Sequence, residues 1–234
     1  ITATGATPEQ VAEAVRVKVI TPRRTREKGF TDDEAVAILK AARDYRPTEY
    51  AYENLMERPW TTAAKRWVPW VCALTGARAG EIVQLRKEDV REKDGVQFFR
   101  ITPEAGTVKT KNFRDVPIHP QLVEIGFLDY VGSLGDGPIF QDPNSKRPTR
   151  AVVSQIVSVL GRWVRGQKLI GEEVDPNHGW RHRFKTVGRE KEIDPRVIDA
   201  IQGHSARTAG EDYGDVTLIT RMNAIEKFPH YDVK

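Results

Sequence analysis

The 234-residue sequence has very little cysteine and no long apolar run. Its single cysteine, Cys72, has no partner for an internal disulfide, and neither a CxxC motif nor a Cys/His zinc spacing occurs. Because Cys72 lies in the apolar run 67–74, we expect it to be a small buried hydrophobe. No stretch approaches the ~20 apolar residues that a membrane-crossing helix needs, and no signal peptide opens the chain. Since the chain begins with Ile, we expect a piece of a longer protein.

Charge of one sign is not in large excess either. The chain has 37 lysine and arginine residues against 33 aspartate and glutamate residues, which gives a net charge of +4. This balance permits nucleic-acid binding without arguing strongly for it. Hydrophobic residues make up 39% of the chain, which is enough for the core of one large domain without a disulfide or a structural metal.

The first 29 residues differ from the remainder of the chain. A short helical pattern opens at Pro8 and is followed by the basic run 22–26. Such a run is typical of a solvated linker, but it can also follow a phosphate backbone. We expect residues 1–29 to be a linker and the remnant of an upstream domain. Residues 30–234 are then one further domain, with a C-terminal tail from about residue 217.

Helical patterns dominate residues 30–234. Thr31 and Glu34 have the spacing of a capping box, and the apolar residues after them recur at helical intervals. A longer helix is predicted over 60–76, in which Pro69 should produce a kink or a break. The further helical segments are a short one at 81–85, two longer ones at 120–131 and 149–165, and three short ones around 178–189, 194–201 and 205–213.

Residues 96–118 have the character of strands. The segments 96–101 and 115–118 bracket the more polar segment 107–111. Pro117 confines the second segment to a sheet edge or a strand end. We therefore predict an α+β fold that is mostly helical, with one small antiparallel sheet.

Arg78 is the first candidate for chemistry on a phosphate. Cleaving a DNA phosphodiester without a metal requires a nucleophile, cations for the non-bridging oxygens, a proton donor for the leaving oxygen and an acceptor for the nucleophile's proton. Arginine suits the second task because its planar fork matches two phosphate oxygens and stays charged. Arg78 follows a glycine turn and precedes a helix, so its side chain can project into a groove. The alternative is a helix-start arginine that pairs with Glu81 on the surface.

A second cluster lies at residues 178–184. His178 and Arg181 are three positions apart, so on a helix they share a face and can address one phosphate. His178 and His182 are four apart, which also suits a metal pair. However, the glutamate of the H-E-x-x-H motif is missing and no third ligand is apparent. The remaining alternative is a surface cluster of histidine and arginine without function.

Tyr213 is the candidate nucleophile, and it follows His204 by nine residues. A lone tyrosine is usually a half-buried packing residue, so this interpretation depends on its partners. The segment 203–207 also resembles the G-x-S-x-G elbow of hydrolases. Its second glycine and a strong preceding strand are missing, which argues against Ser205 as the nucleophile.

Taken in order, these segments resemble the conserved boxes of the tyrosine recombinase (phage integrase) family. The family patterns T-G-x-R-x-x-E-[IL]-x-x-L, H-x-x-R-H and L-G-H-x8-Y match residues 75–85, 178–182 and 202–213, with Gln202 in place of the usual leucine. In the family, a hairpin lysine precedes a V-P-[IL] strand end by eight residues. This spacing indicates Lys109, although Lys111 lies two residues away and shares its strand face.

The resemblance implies a catalytic domain that breaks and rejoins DNA, downstream of a core-binding domain. It assigns six catalytic residues: Arg78, Lys109, His178, Arg181, His204 and Tyr213. The arginines and histidines would hold the scissile phosphate, and the tyrosine would pass its proton to His178 and form a 3′-phosphotyrosine. The lysine would protonate the leaving 5′ oxygen. No cofactor and no metal is implied.

The resemblance also implies partners and a setting. The partners are a double-stranded DNA attachment site, further copies in a homotetramer on DNA, and accessory DNA-bending proteins, but no membrane. The setting is a phage or mobile element, in a bacterial cytoplasm or encoded by a phage. Residues 217–234 form an amphipathic segment that can pack on its own core or exchange between subunits.

Two alternatives to a recombinase remain. A type IB topoisomerase shares the chemistry of cations and a tyrosine, but the compact spacing of the boxes favours a recombinase. A DNA-binding module of the same fold would not cleave, but every catalytic residue type is present, which argues against it.

Overall fold

The computed structural model describes residues 25–50, 55–106, 112–204 and 215–233. In these ranges the protein is mostly helical with small antiparallel sheets, so the predicted fold class is confirmed. Three groups of predicted features lie outside the described residues: Lys109 with Lys111, the segment 205–213 with Ser205 and Tyr213, and residues 1–24. No helix of the described ranges combines the length and the apolar character that a bilayer crossing requires.

The first described helix, α1 (Asp32–Arg43), begins at the predicted capping box. The amide of Glu34 donates to the hydroxyl of Thr31 at 3.2 Å, and the amide of Thr31 donates to the Glu34 carboxylate at 2.9 Å. Its buried residues are the predicted ones: Ala35, Ile38, Leu39 and Ala42. Arg26, at the end of the predicted basic run, forms a salt bridge with Glu34 at 2.6 Å. The chain just before α1 is therefore held on the domain.

The central helix, α2 (Pro59–Thr75), continues through Pro69, so of the predicted kink or break at this proline the break does not occur. Proline removes one main-chain donor and crowds the preceding turn. Here, every residue from Trp67 to Thr75 is buried. Packing of the surrounding helices on this segment outweighs the lost hydrogen bond, because tertiary packing supplies most helical stability in proteins.

Seven further helices lie in the described ranges: α3 (Ala79–Val83), α4 (Pro120–Glu124), α5 (Phe127–Gly132), α6 (Thr149–Gly166), α7 (Gly179–Glu190), α8 (Pro195–Gln202) and α9 (Leu218–Ile225). Helix α3 begins two residues before the predicted segment 81–85. The single helix predicted over 120–131 is instead the pair α4 and α5. Gly126 separates them because its φ of +84° lies in the left-handed region.

The main sheet has three antiparallel strands in the order β3–β4–β5, with β3 at Val90–Lys93, β4 at Val96–Ile101 and β5 at Arg114–Pro117. Strand β5 pairs with β4 in the register Ile101↔Arg114 and Phe98↔Pro117. Strand β3 was not predicted, although Asp94-Gly95 is a strong hairpin signal and both residues have positive φ. A second, two-stranded sheet, β1 (Glu49–Tyr50) with β2 (Leu55–Met56), was not predicted either.

The C-terminal segment packs on its own domain. The ring of Phe228 stacks on that of Phe184 in α7, with centroids 4.1 Å apart. Its carbonyl oxygen lies 3.0 Å from Nε2 of His119. Arg221 of α9 donates to the main-chain oxygen of Asp115 in β5 at 2.7 Å. Of the two arrangements that the sequence left open, the single chain therefore has the one in which the tail covers its own core.

Candidate active site

The turn between α2 and α3 places Arg78. Gly76 ends α2 with a φ of +63°, and its amide donates to the oxygen of Cys72 at 2.9 Å. A Cβ at this position would lie 2.6 Å from the ring of Phe184, so only glycine lets α7 approach the turn. Arg78 then has an extended backbone as the residue before α3. Its side chain is 23% exposed, which leaves the guanidinium accessible.

Glu81 binds two arginines beneath this turn. Its side chain is only 4% exposed, and it accepts from Nη1 of Arg78 at 2.9 Å and from Nη2 of Arg114 at 2.6 Å. Burial alone would raise the pKa of Glu81, but the charge and hydrogen bonds of Arg114, with those of Arg78, outweigh burial and lower the pKa. The pair of Arg78 and Glu81 is therefore not the surface pair of the alternative interpretation. It is one side of a buried bridge to the sheet.

Arg181 lies where the three sequence boxes meet. Its Nη1 donates to the main-chain oxygen of Gly76 at 2.9 Å and to that of Gln202 at 2.8 Å. Its Nη2 is buried, and none of the described residues accepts a hydrogen bond from it. Burial, followed by the positive charge of Arg78, lowers the pKa of Arg181 to about 10. A guanidinium that is fixed at Nη1, whose buried Nη2 lacks an acceptor and which lies beside a second arginine, favours an anion as its ligand.

His204 follows the end of α8. Gly203 ends the helix with a φ of +68°, and a Cβ there would lie 2.7 Å from the guanidinium carbon of Arg114. Nδ1 of His204 lies 2.9 Å from Oδ1 of Asp199, and the amide of His204 donates to the oxygen of Asp199 at 2.9 Å. Burial, followed by the positive charge of Arg181, lowers the pKa of His204 despite the opposing effect of Asp199.

His178 lies one residue before α7. The predicted helix over 178–189 placed this residue inside the helix, so its start is corrected by one position. The amide of His178 donates to the Asp175 carboxylate at 3.0 Å. The side chain is exposed and, with Arg78, lines a groove of about 430 Å³ between α3 and α6. The oxygen of His178 accepts from the amide of His182 at 3.2 Å, so the helical path starts here and keeps Arg181 close.

Four of the six predicted catalytic residues are thus described, and they lie in one region. Arg181 is electrostatically coupled to Arg78 and to His204, while His178 shares a groove with Arg78. The other two, Lys109 and Tyr213, lie outside the described residues, and their roles stay predictions. In the described ranges, no three side chains of His, Cys, Asp or Glu are grouped so that they could hold a metal ion.

Sequence reasoning missed three residues of this region. Arg114 binds Glu81 and, through Nε, the oxygen of Ile201 at 3.1 Å. Lys185 and Asp199 form a salt bridge at 2.6 Å next to His204. Helical spacing places Lys185 on the Arg181 side of α7, but no spacing rule connects residues of two different helices with each other. Only the packed structure identifies these pairs.

Comparison with known proteins finds relatives of one kind. The tyrosine recombinase XerA of Pyrococcus furiosus is 30% identical over 156 residues, which is 65% of this chain and 50% of the relative. The chain therefore spans about half the length of the curated relative it matches. No family model matches the sequence.

Solved structures of low sequence identity share the fold. A XerH site-specific recombinase bound to difH substrate before cleavage aligns with a TM-score of 0.53 and 17% identity, over 77% of this chain and 48% of that one. An integrase from mycobacterium phage Brujita aligns with a TM-score of 0.52 and 20% identity, over 90% of this chain and 62% of that one.

Proposed function

Because the chain contains a domain of the tyrosine recombinase/integrase family, we propose that it cuts and rejoins DNA at specific sites through a covalent bond from Tyr213 to a phosphate. One observation carries this proposal. Arg181 is held by two main-chain oxygens, while its buried Nη2 has no acceptor among the described residues. A scissile phosphate beside Arg78 would supply that acceptor and offset both charges.

The proposed chemistry is a transfer of the phosphoryl group in two steps. The Tyr213 hydroxyl attacks the phosphorus, and the bond from phosphorus to the 5′ oxygen breaks. Free tyrosine has a pKa near ~10, so a base must take its proton, and His178 is the proposed acceptor. Lys109 gives a proton to the departing 5′ oxygen. In the second step a 5′ hydroxyl of another strand attacks the phosphotyrosine, the bond from phosphorus to the Tyr213 oxygen breaks and the tyrosine regains its proton. The bond energy is therefore kept and no ATP is consumed.

The surroundings of Arg181, Arg78 and His204 suggest a different role for each of them in binding the phosphate. Arg181 is half-buried and fixed at Nη1, so it can bind a phosphate oxygen without ordering a flexible side chain. Arg78 binds Glu81 through Nη1. The other nitrogens of its guanidinium can therefore bind a second oxygen of the phosphate. His204 would add a hydrogen bond to the phosphate through Nε2, because Nδ1 faces Asp199.

We also propose the partners and the setting of this domain. The DNA partner is a double-stranded attachment or core site, bound by a homotetramer with accessory DNA-bending proteins. The proposed biological process is the integration or excision of a phage or mobile element in a bacterial cytoplasm. Residues 1–29, as a linker and the remnant of an upstream core-binding domain, would add contacts to the DNA.

The test is a covalent trapping experiment with nicked duplex DNA that carries a candidate attachment site. Cleavage next to the nick releases a short strand, so religation is prevented and the protein stays on the DNA. We expect wild type, without metal or ATP, to give an adduct on a denaturing gel, and we expect Tyr213→Phe to give none. Binding without any adduct would favour the non-cleaving module. An adduct that persists in Tyr213→Phe would identify another nucleophile.

A topological assay separates the recombinase from the topoisomerase. A recombinase exchanges strands between two DNA sites, whereas a type IB topoisomerase relaxes supercoiled plasmid without a second site. We expect recombinant product from two attachment sites on one plasmid. Relaxation of a plasmid that lacks a site, with no exchange, would contradict the proposal.

A further inference from the structure

Three charged or ionisable side chains, those of Lys185, Asp199 and His204, contact one another in a row between α7 and the end of α8. Nζ of Lys185 lies 2.6 Å from Oδ1 of Asp199, and the same oxygen lies 2.9 Å from Nδ1 of His204. The side chains of Lys185 and Asp199 are 20% and 21% exposed, so water only partly screens the contacts. The three side chains are in contact although Lys185 belongs to α7, Asp199 to α8 and His204 to the segment after α8.

The ring orientation of His204 follows from the chemistry of its neighbour. An ionised carboxylate can only accept hydrogen bonds, so Nδ1 of His204 must carry a proton in this contact. Asp199 is ionised near neutral pH. Its burial would raise its pKa, but the hydrogen bonds from Lys185 and His204 lower it below the ordinary value. Nε2 is then the one ring nitrogen left for a ligand.

We propose that Asp199, held in place by Lys185, is a positioning residue that presents Nε2 of His204 to the scissile phosphate. This inference rests on the proposed function, since it names how one member of that site is oriented. The Asp199 carboxylate contacts Lys185 and His204, and in this proposal it acts through His204. Carboxylates that orient a histidine in this way are a general device of active sites, where the second nitrogen does the chemistry.

Three charged groups among the described residues change the pKa of His204. Asp199 on α8 raises the pKa of the imidazole, whereas Arg181 and Lys185 on α7 lower it, as does burial. To donate a hydrogen bond through Nε2, His204 must be doubly protonated, because Nδ1 already carries a proton for Asp199. The carboxylate therefore both orients the ring and stabilises the form that binds an anion.

A purely structural role would give a different pattern of mutant effects. The bridge from Lys185 to Asp199 joins α7 to α8 without His204, and a staple of this kind affects stability alone. A positioning role instead makes Asp199 matter only when His204 is present. A double-mutant cycle distinguishes the two, since residues that act through each other are not additive.

The cycle uses single-turnover formation of the covalent adduct by the full chain. We expect Asp199→Asn to slow adduct formation by about 10–100-fold, the range found for partners that orient a histidine. In a His204→Ala background the same change should slow it by less than about 2-fold. Asp199→Glu, which keeps the carboxylate, should recover part of the rate. Asp33→Asn removes an equal charge at an exposed position of α1 and should leave the rate unchanged.

If Asp199→Asn slows adduct formation equally in the wild-type and His204→Ala backgrounds, the proposal is overturned and Asp199 has only a structural role. A rate for Asp199→Asn equal to that of wild type would overturn the proposal as well.

A second measurement does not depend on cleavage, so it separates failure of this inference from failure of the proposed function. The nitrogen chemical shifts of the histidine rings in the folded full chain report which nitrogen carries the proton. With the His204 signals assigned by their loss in His204→Ala, we expect the tautomer with the proton on Nδ1 at a pH where the ring is neutral. A neutral ring that carries its proton on Nε2 would overturn the proposal even if the enzyme cleaves DNA.

Discussion

Arg181 and Gln202 hold each other through reciprocal hydrogen bonds. Nη1 of Arg181 donates to the main-chain oxygen of Gln202 at 2.8 Å, and Nε2 of Gln202 donates to the main-chain oxygen of Arg181 at 2.8 Å. Gln202 is fully buried, and its Oε1 has no donor among the described residues. The side chain that differs from the family's leucine therefore touches the main chain of the proposed phosphate-binding arginine, not its guanidinium.

The exchange Gln202→Leu should be well tolerated. Leucine fills a similar volume and removes a buried oxygen that lacks a donor, while the bond from Arg181 to the main-chain oxygen of position 202 is kept. We expect a loss of less than about 1.5 kcal/mol in the free energy of unfolding. Gln202→Ala should lose about 2–5 kcal/mol, because it leaves a cavity. Urea unfolding measures both, and similar losses for the two variants would contradict this interpretation.

The same pair of residues shows how far the sequence determines the site. The spacing of the boxes identified Arg78, His178, Arg181 and His204, and the fold brings these residues into one region. The pattern could not reveal that Gly76, Arg181 and Gln202 meet, because their contacts are to main-chain oxygens. Main-chain partners leave no signature in residue types. Arg114 and Glu81, likewise, are 33 positions apart and belong to different elements.

The fold was predictable where local signals are strong and unopposed. The capping box at Thr31 set the start of α1 within one residue. Of the kink or break predicted at Pro69, the break does not occur because burial of its neighbours outweighs a local rule, and packing cannot be read from a single sequence. The split at Gly126 depends on a left-handed backbone that the helical pattern of 120–131 conceals.

Gly179 should be intolerant of a side chain. It lies between His178 and Arg181, and a Cβ there would meet the ring of Phe30 at 2.5 Å. Gly179→Ala should therefore cost about 1–3 kcal/mol, since the ring must move within a packed core. The matched control is Gly132→Ala at the end of α5, where a Cβ has no neighbour within 4 Å. The control should be stabilised by about 0.4–1 kcal/mol. Equal unfolding midpoints in urea for the two variants would contradict the prediction.

Glu81 should stabilise the fold in a pH-dependent way. Its lowered pKa means that its contribution is complete above the ordinary value of 4.5 and is lost as the pH falls through the lower folded pKa. At pH 7, Glu81→Gln should cost about 3–5 kcal/mol, because two arginines lose a buried partner. The gap to wild type should narrow in urea titrations at successively lower pH. The exposed control Glu190→Gln should show little gap at any pH, and a constant gap for Glu81→Gln would refute the linkage.

Asp199 should influence the pH above which cleavage declines. Its carboxylate raises the pKa of His204 against burial and the charge of Arg181. Removing the charge in Asp199→Asn lowers the pKa of His204. As the pH rises, the imidazole therefore loses its second proton at a lower pH than in wild type. We expect the high-pH decline of single-turnover adduct formation to move to lower pH than in wild type. Movement toward higher pH would mean that His204 does not work as a donor to the phosphate.

The measurement that tests the central claim most directly combines Arg181→Ala with DNA whose scissile phosphate carries a methyl group in place of one charged oxygen. On ordinary DNA, the variant should form adduct about 10²–10³-fold more slowly than wild type, the usual effect of removing one donor to a developing charge. On the neutral phosphonate there is no charge for Arg181 to offset. The ratio of wild type to variant should therefore shrink to within about 10-fold. The same large ratio on both substrates would contradict the claim that the guanidinium of Arg181 binds and neutralises the scissile phosphate.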